Sequence, residues 1–158
     1  LPACNLRSQP QQHSQVGGLC HGRFRPMPRY VILKHRLPPT SERAGVHYDL
    51  MFELDGELLT FALPAEPIAP GCQRVEPLPN HRLAYLDYEG PISGGRGHVT
   101  RWDCGTYDGG WQGEARWHCH CQGDRGDFQA TVQRRADHTW QLDLEATTSE
   151  DGGRGAGR

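Results

Sequence analysis

Lysine is almost missing from this sequence: of 17 basic residues, 16 are arginine and Lys34 is the one lysine. Set against 19 acidic residues, this leaves a formal net charge of −2, which excludes a general polyanion-coating surface. A local phosphate site stays open, because arginine's planar fork matches phosphate oxygens, although a GC-rich coding sequence produces the same arginine excess. No stretch reaches the ~20 apolar residues of a membrane span, and residues 1–23 contain no apolar signal segment. The six cysteines (Cys4, Cys20, Cys72, Cys104, Cys119, Cys121) lack the spacing of a small disulfide scaffold. A reducing, cytoplasmic compartment without membrane attachment is therefore expected. Long helical periodicity is lacking too. A chain that is 35% hydrophobic with 20 Gly and 12 Pro favours short strands and turns, and 158 residues suit one domain.

What is there centres on Arg29 to Pro64. Two strand-like runs meet at Asp55-Gly56, a pair suited to the positive φ angles of a type I′ hairpin turn. Counting back from the turn, Leu54, Phe52, Leu50 and Tyr48 share one face, and Glu53, Met51, Asp49 and His47 share the other. The expected register sets Leu54 against Glu57, Phe52 against Leu59, Leu50 against Phe61, and Asp49 against the small Ala62. Tyr30 to Lys34 reads as the preceding strand, with His35 at its end. Pro64 to Pro79 reads as a proline-rich connector unable to form a central strand. HRLAYLDYE (81–89) is ambiguous between an irregular strand and one helical turn. His98 to Asp103 reads as a strand and Asp103 to Thr106 as a tight turn. Ala115–Cys121 and Phe128–Arg134 are expected to pair across Gly123–Gly126, and Thr139–Glu145 is the last strand. The pattern is that of an all-β barrel or sandwich. Residues 1–28 and 147–158 are expected to form disordered tails around a domain at 29–146.

His35, His47 and Asp49 are the candidate metal ligands. Two imidazoles and a carboxylate suit Mn²⁺, Zn²⁺ or Fe²⁺, whereas simple solvated surface residues are the competing interpretation. An HxD pair with a distal histidine, here His81 or His98, is also the pattern of non-haem iron oxygenases. Trp117-His118-Cys119-His120-Cys121 looks like a metal tract. On a strand, however, its cysteines and histidines face opposite ways, which favours buried thiols and exposed imidazoles. Gly94-Gly95-Arg96-Gly97 fits a hairpin turn better than a phosphate cradle. Of the tryptophans, which could stack on bases, Trp102 and Trp140 are better assigned to the core.

KH at 34–35, HYDL at 47–50, ELDGEL at 53–58, FALP at 61–64, NHRLAYLDYEG at 80–90 and VTRWDCGTY at 99–107 follow one another in order. Together they resemble the 3′-phosphoesterase domain of bacterial and archaeal DNA ligase D and its stand-alone relatives, over about residues 29–146. The resemblance implies a compact, closed or nearly closed β-barrel with little helix. It also implies a Mn²⁺ ion, or another divalent transition metal, in a crescent-shaped groove. The implied activity trims 3′-terminal ribonucleotides and removes 3′-phosphates. By position, His35, His47 and Asp49 correspond to the metal ligands, His81 to the histidine on the scissile phosphate, and Tyr85 to its neighbouring tyrosine. Arg74 stands in for an upstream arginine, with the alignment slipping by one residue. The implied partners are nucleic-acid 3′ ends and a repair ligase or polymerase acting in trans, with the chain itself a monomer. Two cations of the family pattern are replaced here, by Met51 and Ala65, and its N-terminal Arg-Asp pair and glutamate have no counterpart in residues 1–28. Each lost contact to phosphate is worth about 1.5–3 kcal/mol. A weakened or altered phosphoesterase is expected, with a non-catalytic end-binding module on the same fold as the rival. The FALP and WDxGT matches argue against the oxygenase.

Overall fold

The alternation around Asp55-Gly56 folds as a hairpin in the computed structural model, which describes residues 25–42 and 45–147. β1 (Arg29–Leu37), β2 (Gly45–Leu54) and β3 (Glu57–Leu63) are joined there, and Asp55 and Gly56 have φ of 51° and 82°. The register is Leu54 on Glu57, Phe52 on Leu59, Leu50 on Phe61 and Asp49 on Ala62, as the turn length requires. β4 (Gly71–His81) follows, then a 3-10 turn (Leu83–Leu86), the two-residue β5 (Gly90–Pro91) and the long β6 (His98–Trp111). β7 (Arg116–Gly123), β8 (Gly126–Arg134) and β9 (Trp140–Ala146) complete the set.

Every pairing is antiparallel. The order β1-β2-β3-β4-β9-β8-β7-β6 returns from β6 to β1, so eight strands close into a barrel, with β5 added alongside β6. No α-helix occurs among the described residues, and no helix there is long and apolar enough to cross a membrane. The fold is all-β, as the spacing of strands predicts. Of the expected tails, residues 1–24 and 148–158 lie outside the described residues, while the Pro28 carbonyl accepts from the Tyr107 N–H at 3.0 Å.

One set of alternating positions fills the barrel: Tyr30, Phe52, Phe61, Tyr107 and Trp117 are all but fully buried, and the rings of Tyr30, Phe52, Tyr107 and Trp117 meet edge to face or tilted. Trp102 and Trp140 pack against this core from its rim, half-buried. Cys119 and Cys121 are buried within it, their Sγ atoms 3.7 Å apart. The opposite positions of β1, β2, β3 and β6 carry a second apolar cluster outside the barrel, of Val31, Leu33, Met51, Leu58 and Val99. Leu86 of the 3-10 turn covers it.

Three expectations change. The segment expected to be a connector holds β4, whose two halves have different neighbours. Gly71–Val75 is flanked by β9, but the half containing Pro77 and Pro79 pairs only with β3, so the missing proline N–H groups need no partner on the other side. Asp103–Thr106 is not a turn, since β6 runs straight through it. Gly105 serves a close approach instead: a Cβ there would sit 1.9 Å from the Gln122 carbonyl oxygen of β7. His118 and His120 are half-buried rather than exposed. The His118 Nδ1 lies 2.9 Å from the Thr131 hydroxyl, and the His120 Nε2 is buried without a hydrogen bond.

Candidate metal centre

Strand period and register together build one polar corner on the outer face of the barrel. His47 and Asp49 are two positions apart on β2, so both point outward, and the β1–β2 register places His35 directly opposite His47. His35 Nδ1 lies 3.1 Å from His47 Nε2 and 3.5 Å from Asp49 Oδ2, and His47 Nε2 lies 3.3 Å from Asp49 Oδ1. One donor atom from each residue thus converges within a sphere a few ångströms wide. Ala62, facing Asp49 from β3, is too short to fill the space above the carboxylate.

His35 Nε2 is 2.7 Å from the carbonyl oxygen of Arg96. A carbonyl can only accept, so Nε2 carries the proton and Nδ1 turns its lone pair toward the corner. The loop that supplies this carbonyl is the Gly94–Gly97 turn between β5 and β6. Gly97 is indispensable to it: its φ is 96°, and a Cβ would lie 2.1 Å from the Arg36 carbonyl oxygen. Asp49 is 4% exposed, and its Oδ1 accepts no hydrogen bond among the described residues. The hydrogen bond with Asp49 raises the pKa of His35 above the ordinary 6.5, against the opposing effect of burial. Burial alone would push Asp49 up. The two adjacent imidazoles, His35 first and then His47, outweigh it and hold the carboxyl below its ordinary 3.8.

These observations fit a divalent transition metal. A buried carboxylate oxygen lacks a donor, one imidazole is locked in the ligating tautomer, and donor separations of 3.1–3.5 Å match the edges of a shell with bonds of about 2.0–2.2 Å. Two nitrogens and one oxygen suit Mn²⁺, Fe²⁺ or Zn²⁺.

The corner opens into a groove of about 650 Å³, bounded by β4, the 3-10 turn and the Gly94–Gly97 loop. Arg74, His81 and Tyr85 all line it. Arg74 and His81 are seven positions apart on β4, an odd spacing that in a regular strand would put them on opposite faces. A β-bulge resolves this, because β4 takes three steps from Leu78 to His81 while β3 takes two from Thr60 to Leu58. His81 Nδ1 donates to the Pro79 carbonyl at 2.9 Å, leaving Nε2 for a ligand. Its ring stands edge-on to Tyr85 at 5.7 Å. The partner of His81 on β3, Leu58, is four positions from Ala62, or about 13 Å of strand from the row that holds Asp49. Arg74 is exposed, with Asp137 3.9 Å away.

His98 is exposed on β6 opposite Arg36 and Pro91, and neither it nor His81 joins the three-residue cluster. The Met51 side chain is buried in the outer apolar cluster and lines the groove floor, while Ala65 is exposed and its backbone is bridged to Gln73. Sequence reasoning missed two groove groups. The Arg96 carbonyl has no sequence signal, since any residue supplies a carbonyl. Glu76 was hidden in the segment read as a connector.

A family profile described as DNA Ligase D 3′-phosphoesterase domain matches residues 40–151. The chain is also 36% identical over 84 residues to a protein of Pseudomonas aeruginosa named multifunctional non-homologous end joining protein LigD. That stretch is 50% of this chain and 9% of the relative, so the chain spans a small part of that protein's length.

Proposed function

Because the chain belongs to the DNA ligase D 3′-phosphoesterase domain family, we propose that it is a metal-dependent phosphoesterase that processes 3′ termini of nucleic acid during double-strand break repair. The observation that carries the reading is the convergence of His35 Nδ1, His47 Nε2 and the Asp49 carboxylate at one end of a groove that His81 closes at the other. His35, His47 and Asp49 would hold the ion, preferably Mn²⁺. When bound, it supplies a Lewis acid for a phosphoryl oxygen and lowers the pKa of an attached water.

The chain's own residues do the rest. The Arg96 carbonyl fixes the tautomer of His35, and the β1–β2 ladder holds both imidazoles without rearrangement on binding. His81, anchored through Nδ1, presents Nε2 to the phosphate from the opposite end. Hydrolysis adds one water across a P–O bond: its oxygen stays on phosphorus, and the departing sugar oxygen takes up a proton. A protonated His81 offsets charge on the phosphoryl group and can supply that proton. Tyr85, edge-on to His81, keeps its ring upright, and Arg74 adds a cation at the groove's rim. The end-joining context comes from the relative's name, and a ligase or polymerase acting in trans is proposed with it.

A primer-template ending in a 3′-ribonucleotide or a 3′-phosphate, incubated with Mn²⁺, tests the reading. Shortened or dephosphorylated product is expected, lost in both His47→Ala and His81→Ala. Product formation indifferent to His47→Ala would refute the metal assignment. A second reading, an end-binding module without turnover, is favoured by one observation: Met51 puts apolar surface where the family pattern has a cation. It predicts binding of the same substrates without product.

A further inference from the structure

A second hollow adjoins the groove. It has a volume of about 220 Å³ and is lined by Arg82, Tyr85, Tyr88, Pro91, Ile92 and Ser93 among others. Tyr85 and Ile92 line the groove as well, so the two spaces meet across a shared wall. Neither the metal corner nor the phosphate histidine accounts for Arg82, Tyr88 or the space beside them.

Three rings lead from the groove to this hollow. His81 stands edge-on to Tyr85 at 5.7 Å, and Tyr85 stands edge-on to Tyr88 at 6.0 Å. Tyr88 is 38% exposed, yet its ring is held at the far end. Its hydroxyl donates to the Pro91 carbonyl, and Gly90 makes room for that contact. A Cβ at Gly90 would lie 3.1 Å from the hydroxyl oxygen, at a φ of 138° that itself favours glycine. An exposed aromatic ring already fixed in place loses little freedom when something stacks on it. Arg82, next to His81 in the chain, is exposed and forms no ion pair among the described residues. Its planar guanidinium can lie against a base or donate to a base edge.

Size selects the occupant. A phosphodiester held between the metal corner and His81 has a sugar on each side, one belonging to the duplex and one ending the strand. The hollow is smaller than the roughly 300 Å³ at which sites for drug-sized ligands begin, which leaves room for one base and none for a continuing duplex.

We propose that this hollow is a binding subsite for the base of the 3′-terminal nucleotide, which stacks on Tyr88 with Arg82 beside it. The inference rests on the phosphoesterase reading above and adds the nucleoside end of the substrate to it. Every base has a π-face, so such a subsite grips a strand terminus without reading its sequence. A bare terminal 3′-phosphate has no base to place there.

The test uses primer-templates with one of three ends: a 3′-ribonucleotide, the same ribose without its base, or a 3′-phosphate. Turnover with Mn²⁺ is read by gel, and binding to metal-free protein by fluorescence anisotropy. Loss of the base should slow removal by wild type at least about fivefold, the low end for one base stacked on an aromatic side chain. Tyr88→Leu should lower the ratio of ribonucleotide removal to 3′-phosphate removal by a similar factor, and should respond little to loss of the base. Tyr88→Phe, which keeps the ring without the Pro91 contact, should restore most of that ratio. Wild type that treats ends with and without a base alike overturns the proposal, and this comparison decides the matter if Tyr88→Leu does not fold. So does a Tyr88→Leu protein in which removal from both ends falls together, the mark of a tyrosine that only supports the 3-10 turn. So does a Tyr88→Phe protein that behaves as Tyr88→Leu. The broader reading fails separately: with no His47-dependent product from any end it is refuted, and the Tyr88-dependent binding difference between ends with and without a base still decides the subsite.

Discussion

Two histidine-rich stretches lie on strands of this barrel, and only one gathers its donors. In β2, His47 and Asp49 share a face, and β1 brings His35 to the position directly opposite. In β7, Trp117-His118-Cys119-His120-Cys121 is denser in ligand-type residues, yet the strand period sends its cysteines into the core and its histidines outward. The outward pair faces Thr131 and Gln129 on β8 and Gly110 and Asp108 on β6, and among the described residues no third ligand approaches closely enough. Local density of donors is therefore a poor guide. What counts is the residue that the neighbouring strand places across the ladder.

This contrast can be broken at both ends. The largest effect belongs to the core tract: Trp117→Ala should cost about 3–5 kcal/mol of stability in urea unfolding, because a fully buried indole leaves a cavity. Next, Asp49→Ala should weaken Mn²⁺ binding by more than about 100-fold in calorimetric titration, exceeding the usual loss for an outer-shell partner, whereas His118→Ala and His120→Ala should leave it unchanged. Gly97→Ala touches no ligand. Its Cβ would displace the loop that carries the Arg96 carbonyl, so a loss of about 10–100-fold in metal affinity is expected, together with a lowered melting temperature from the backbone clash and the positive φ.

The smallest effect concerns pH. His35 has a raised pKa, so its contribution to the metal-free fold is complete below 6.5 and fades as pH rises through the higher folded value. Asp49 has a lowered pKa, so its contribution is complete above 3.8 and fades as pH falls through the lower folded value. Metal-free protein should be most stable between these limits. His35→Ala should flatten the alkaline limb of a profile of unfolding free energy against pH, from urea titrations, by about 1 kcal/mol or less, given partial solvent screening. Metal affinity should run the other way and climb with pH, as protons leave the ligands.

Much of this was legible in the sequence. Asp55-Gly56 set the hairpin and its register, and period-two alternation told which of residues 47–54 face the core. What was hidden has physical causes. The prolines argued against β4, because the rule that excludes them holds only where both sides of a strand are paired, and pairing is a tertiary property. Gly105 resembled a turn because close approach of two backbones and a sharp bend favour the same residue. The bulge at β4 changes which face residues past Leu78 occupy, so the shared face of Arg74 and His81 does not follow from counting. Backbone carbonyls such as that of Arg96 leave no trace in side-chain identity.

The reach of the Arg96 contact also affects the order in which the site can mature. His35 and His47 are 12 residues apart, so both imidazoles and the Asp49 carboxylate leave the ribosome almost together. The carbonyl that orients His35 comes 61 residues after it. A nascent chain stalled before that loop would hold all three candidate ligands with the first imidazole free to swivel, and the proposed cation site would be complete only once the distant turn is synthesised and docked.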